Sequence, residues 1–126
     1  MTKYKEFNNG FIRNNNFELL DVDEGKYAVI KANITESSLN PYGIAHGGFI
    51  FGLGDTSMGV VARSTGRKAV TLSANITYLK PCVGSYLVAK SEMIKDGKTT
   101  CYIRSNIYNE IDVLVASMDS TYYYID

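Results

Sequence analysis

The sequence predicts an α+β fold in which one long helix, apolar nearly all round, is wrapped by a curved antiparallel sheet. Three observations carry that expectation. From residue 47 to about 64, apolar side chains recur without strand alternation and no proline interrupts them, the pattern of a helix buried on most faces. After Gly66 the period changes to two: Leu72, Ala74, Ile76 and Tyr78 alternate with Thr71, Ser73, Asn75 and Thr77. Three further segments rich in β-branched and aromatic residues follow, separated by spacers of turn length.

Taken in order, the first 25 residues mix polar and aromatic types around Phe7, Phe11, Ile12 and Phe17, and read as a short helix followed by a loop. Residues 1–16 stand as an extension, helix or loop, to a single domain spanning 1–126. Residues 27–35 read as a strand. Asn40-Pro41-Tyr42-Gly43 supplies loop chemistry, because the residue before proline is pushed out of the helical region. The helix from residue 47 would be ~27 Å long. Its Gly52, Gly54 and Gly59 each cost roughly 1 kcal/mol against alanine in a helix interior, so they imply neighbouring backbone packed closely against it. The strand after Gly66 reads as half-buried and ends at Lys80-Pro81. Strands at 86–94, 99–109 and 113–125 are joined by Asp96-Gly97-Lys98 and Asn109-Glu110-Ile111-Asp112, so consecutive ones should pair antiparallel.

Composition narrows the function classes. Area scaling for 126 residues gives ~6,700 Å² folded against roughly 20,000 Å² unfolded. That permits a core without disulfides or metals. Thirteen basic and thirteen acidic residues cancel, leaving no electrostatic footprint for nucleic acid or an anionic membrane and little charge to keep copies apart. Cys82 and Cys101 fit no zinc spacing and are too few for a disulfide scaffold; they read as buried reduced thiols. The N-terminus has no apolar secretion segment, and no apolar run nears the ~18–20 residues that span a bilayer, so a cytoplasmic protein is expected.

Asp55 is the anomaly of the helix. A carboxylate among apolar residues is costly to bury unless something satisfies it, and the readings are a reactive group or a structural carboxylate capping a loop. The helix begins at Ala45-His46-Gly47-Gly48. Unpaired first-turn N–H groups at the positive end of the helix dipole can hold a developing negative charge, and glycine leaves them open to a ligand. A tight loop-to-helix turn is the competing reading. His46 is the only histidine, and no Gly-x-Ser-x-Gly elbow supports a serine mechanism through it. Gly47 and Asp55 lie ~12 Å apart along the axis, while a reacting carbonyl must sit ~3 Å from both donor and attacking group. If both act on one substrate, the second must come from another subunit, most simply in a two-fold dimer. Arg63 and Arg67, at the far end of the helix, read as solvated or dipole-compensating.

The joint pattern Asn40-Pro41-x-Gly43-x-x-His46-Gly47-Gly48, Phe51, Asp55, then Asn75-Ile76-Thr77-Tyr78-x-x-Pro81 and Gly97-Lys98-Thr99, resembles the hot-dog-fold acyl-CoA thioesterases of the phenylacetate-degradation (PaaI) type over about residues 17–122. That resemblance implies a helix enclosed by the sheet, protomers paired into a continuous sheet, dimers of those dimers, and acyl-CoA as substrate with no metal or redox cofactor. It implies that Gly47 donates its N–H to the thioester oxygen and that Asp55 of the partner protomer is general base or nucleophile. Asn40 would help hold the attacking water, His46 would support the loop, and Thr71, where relatives often have serine, would place a hydroxyl near the carboxylate. Gly48, Ser73, Tyr78 and the hairpin residues Lys95, Gly97, Lys98 and Thr99 are the implied substrate-binding positions. Two alternatives stay open: a hot-dog dehydratase or hydratase with a histidine base, and a non-catalytic acyl-CoA-binding protein.

Overall fold

The computed structural model describes residues 9–126, and the expected anchor Phe7 lies outside them. Chain order is α1 (Gly10–Asn14), β1 (Phe17–Asp23), β2 (Tyr27–Asn33), α2 (Gly47–Arg63), β3 (Ala69–Tyr78), β4 (Tyr86–Asp96), β5 (Thr100–Asn109) and β6 (Leu114–Tyr124). The strands form one antiparallel sheet in the order β1-β2-β4-β5-β6-β3. Helix α2 touches all six of them, as a sheet curved round one helix requires. This is the hot-dog layout that the sequence implied.

Period two does the sorting within each strand. In β5, Cys101, Ile103, Ser105 and Ile107 are buried while Arg104 points to solvent. Ile30, Leu87, Ile103 and Met118 meet Leu53, Met58, Val60 and Val61 of α2 in the core. Burying each such side chain is worth roughly 1.5–3 kcal/mol. The α2 glycines face side chains rather than the backbone expected. A Cβ at Gly52 would stand 3.2 Å from the Phe11 ring, and one at Gly54 would collide with Met118.

Two strands differ from expectation, and each carries a bulge. β1 lies where a loop was expected, and its register shifts between Leu19 and Asp21. That bulge absorbs Leu20, and the consecutive Leu19 and Leu20 erase the alternation that marks a strand. β3 carries a second bulge between Thr71 and Ser73. It is an exposed edge strand rather than a half-buried one, with Val70, Leu72 and Tyr78 46%, 62% and 49% accessible.

Ser57 of α2 and Ser91, Ser105 and Ser120 of the sheet are buried polar residues within the core. Ser91 and Ser57 hydrogen-bond to each other at 2.8 Å, whereas the buried Ser105 hydroxyl has no partner among the described residues. Stranding a buried polar group costs ~1–3 kcal/mol, while removing an unpartnered one does not. Ser57→Ala is therefore expected to lower the urea midpoint by leaving Ser91 unpaired, and Ser105→Ala to leave it unchanged or raised. Equal losses in both would contradict this assignment.

Candidate functional site

The loop before α2 is tied down by its own polar groups. Asn40 Oδ1 accepts from the N–H groups of Tyr42 at 2.9 Å and Ile44 at 3.3 Å, an Asx turn closed by Gly43 at φ +78°. The His46 N–H donates to the Ser38 carbonyl at 2.7 Å and the Ala45 N–H to that of Cys82 at 2.9 Å. His46 is the N-cap: its Nδ1 accepts from the Gly48 N–H at 2.8 Å, which puts the proton of a neutral ring on Nε2. The Gly47 carbonyl accepts from the Tyr78 hydroxyl at 2.7 Å. The Gly47 N–H is left without an acceptor among the described residues. It belongs to the first turn, where the helix dipole is positive.

A mostly apolar cavity of about 360 Å³ opens beside that N–H, between Ile44, Gly47, Ile50, Tyr78 and Pro81. Cys82 also lines it, and burial pushes the Cys82 thiol up to about 11. At neutral pH it is a thiol rather than a nucleophilic thiolate. Burial likewise raises the Tyr78 phenol, which stays a donor to Gly47.

Asp55 lies eight residues further along α2 and lines a different cavity, of about 210 Å³, with Thr56, Arg63, Thr71 and Tyr122. Thr71 Oγ1 donates to Asp55 Oδ1 at 2.8 Å. The Tyr122 hydroxyl lies 2.5 Å from the same oxygen and 2.6 Å from the Asp55 carbonyl. Thr71 and Tyr122 are cross-strand partners on β3 and β6. Simple alternation would put Thr71 on the same face as Ser73, away from the helix. The bulge between them shifts the phase of the strand, so Thr71, like Ala69 before it, faces the helix while Ser73 does not, and such re-aiming is what bulges beside sites do. Ser73 pairs with Thr121 on the other face and does not share the Asp55 cavity.

The hairpin joining β4 to β5 is held at its tip by backbone contacts. Arg67 donates to the Lys98 carbonyl at 2.7 Å, pairs with Asp126 at 2.9 Å and lies over the Tyr124 ring. The Tyr124 N–H donates to the Thr99 carbonyl, and Gly97 pairs with Thr100. The side chains of Lys95 and Lys98 remain exposed. Arg67 is thus a brace for this hairpin, and Arg63 folds over Gly59 into the Asp55 cavity. Arg63 still lies in the last turn of α2, where a cation offsets the helix dipole as expected, and Arg67 stays partly exposed. No three His, Cys, Asp or Glu side chains gather as a metal would need among the described residues, and no described helix is long and apolar enough to cross a membrane.

The sequence pattern of the thioesterase superfamily matches residues 42–116, more than half of the chain, and covers α2 and β3, the elements that carry Asp55 and Thr71. The chain belongs to that superfamily. A protein of Archaeoglobus fulgidus named as an esterase is 31% identical over 116 residues, covering 87% of this thioesterase-superfamily chain and 75% of its own length. The PaaI protein from the phenylacetic acid degradation operon of E. coli has the same architecture: TM-score 0.91, 27% identity, 96% of this chain and 88% of that one. A Streptococcus mutans protein, smu.793, solved bound to acetyl CoA, is 35% identical with a TM-score of 0.81, over 86% of this chain and 88% of its own. The fold is that of a hot-dog thioesterase of PaaI type, which makes the chain a hydrolase acting on thioesters.

Sequence reasoning missed Tyr122, Arg63 and the wall that Phe11 and Ile12 of α1 give this thioesterase's Asp55 cavity. Tyr122 sits in the run Tyr122-Tyr123-Tyr124. Only its register against Thr71 tells which ring reaches the helix.

Proposed function

We propose that the chain hydrolyses an acyl-CoA thioester to the free acid and coenzyme A at a site shared by two protomers. The observation that carries this reading is Asp55, a carboxylate on a largely buried helix, facing a cavity and held by hydroxyls from two strands. The acyl carbonyl oxygen accepts from the Gly47 N–H of one protomer, where negative charge develops as the carbonyl carbon is attacked. Asp55 of the partner takes the proton of the attacking water, or attacks directly and is then released by water. The carbon–sulfur bond breaks as the tetrahedral intermediate collapses, and the sulfur leaves as coenzyme A thiol after gaining a proton. Asn40, with its Oδ1 committed to the turn, has only its NH₂ to offer the water.

The exposed edge of β3 supports a two-chain site. Its outer backbone is unpaired in the sheet order and its Val70, Leu72 and Tyr78 are accessible, so a second copy can extend the sheet there. The dimer is the unit the chemistry needs; a dimer of dimers is the assembly the family resemblance implies. No observation favours a histidine-based hydratase, since His46 Nδ1 is committed to the Gly48 N–H. The test is release of free thiol from aryl, short-chain and long-chain acyl-CoAs: turnover with at least one class is expected, and inertness toward all three would contradict the reading.

Gly48, Ser73, Tyr78 and the hairpin residues Lys95, Gly97, Lys98 and Thr99 are assigned to substrate binding, with Lys98 holding the coenzyme rather than acting in the chemistry. Lys98→Ala should then raise KM for acyl-CoA and leave kcat much less changed, the mark of lost uniform binding. The effect should shrink as salt is added, because an exposed charge contact is screened. A fall in kcat at constant KM would refute this role.

A further inference from the structure

We propose that Tyr122 is a positioning residue, fixing Asp55 Oδ1 so that Oδ2 is the oxygen left to act on the thioester. The proposal rests on the thioesterase reading of Asp55 and adds a division of labour between its two oxygens. Oδ1 is met by two hydroxyls, Thr71 at 2.8 Å and Tyr122 at 2.5 Å, whereas no described group donates to Oδ2. The single Tyr122 proton is shared between Oδ1 and the Asp55 carbonyl at 2.6 Å. It therefore ties the side chain to its own helix turn and restricts rotation of the carboxylate. Thr71 reaches Oδ1 from the neighbouring strand, at the bulge that turns it inward. Two donors on one oxygen, from two strands that pair with each other, define the plane of the carboxylate. The lone pairs of the second oxygen stay available to a water or an acyl carbon.

Tyr122 suits this task. It is 1% exposed, so its ring cannot swing away. Burial, then the charge of Asp55, push its phenol far above the ordinary range, which keeps it a donor at working pH. Near-attack geometry is sensitive: a misplacement of ~1 Å can lower a rate by ~10².

The test compares wild type, Asp55→Asn and Tyr122→Phe, with turnover expressed per coenzyme A-binding site counted by calorimetric titration, so that loss of folded protein does not pass for loss of rate. Tyr122→Phe keeps the ring and removes the donor. We expect kcat per site to fall at least ~10-fold with KM within ~2-fold, because the interaction acts in the transition state and not on substrate binding. A folded Tyr122→Phe dimer with kcat within ~2-fold of wild type, while Asp55→Asn is inactive, overturns the proposal and leaves the thioesterase reading standing. An active Asp55→Asn overturns both. If Tyr122→Phe does not fold, 3-fluorotyrosine at position 122, nearly the same shape but a stronger donor, is read instead. A kcat changed by ~2-fold or more at constant KM supports the role, and an unchanged kcat overturns it.

Discussion

Asp55→Asn is expected to lower kcat by at least ~10² while the protein stays folded. The amide keeps the shape of the side chain, and its Oδ1 can still accept from Thr71 and Tyr122, so the contacts that seat residue 55 in α2 survive. What disappears is the anionic oxygen that takes a proton or attacks the carbonyl carbon. A structural role predicts the reverse pattern, with stability falling and turnover per folded molecule unchanged. Circular dichroism and sedimentation alongside the kinetics separate the two. A folded Asp55→Asn enzyme with near-normal turnover would remove Asp55 from the mechanism.

Gly47→Pro should cost ~10²–10³ in kcat, the range seen when one oxyanion donor is removed. Proline deletes the N–H and little else here. Residue 47 is the first of the helix, the position where proline is best tolerated. His46 before it already has φ −64° and ψ 138°, the extended conformation a residue preceding proline prefers. The new ring does crowd Tyr78, whose hydroxyl would lie 3.1 Å from the added Cβ. Gly47→Ala adds the same Cβ and keeps the amide, so it reports the steric part alone. Near-normal turnover in Gly47→Ala beside a silent Gly47→Pro is the expected pair of results. Equal losses would assign the effect to Tyr78 and not to the N–H.

The sequence was most legible where one period ran long. Helix α2 from Gly47 and strands β4 to β6 follow from apolar patterns long enough to survive the register shifts between Met93 and Lys95 and between Ile107 and Tyr108. β1 was hidden because the bulge after Leu19 breaks its alternation, and a broken period of two looks like a loop. The site divides in the same way. Gly47 and Asp55 announce themselves as glycine at a helix start and a carboxylate in an apolar helix, which are local anomalies. Thr71 is the instructive case: its resemblance-based place beside Asp55 conflicts with the alternation of its own strand, and the bulge between Thr71 and Ser73 resolves the conflict. Tyr122 could not be read at all. Its role depends on which residue of β6 faces Thr71 across the sheet, and no local pattern carries a cross-strand register.

Both groups also sit in one chain too far apart to share a substrate, ~12 Å along the helix and in separate cavities. The most direct measurement of a site built from two protomers is therefore complementation. Gly47→Pro and Asp55→Asn chains, co-expressed in equal amounts, assemble into mixed dimers. In each mixed dimer one site combines both defects, while the other pairs an intact Gly47 with an intact Asp55. Random pairing makes half the dimers mixed, so about a quarter of all sites are whole and about a quarter of wild-type activity should return, although neither variant alone retains more than ~1%. If the mixture stays as inactive as its components while sedimentation shows mixed dimers, Gly47 and Asp55 do not meet across the two-fold axis and the account fails.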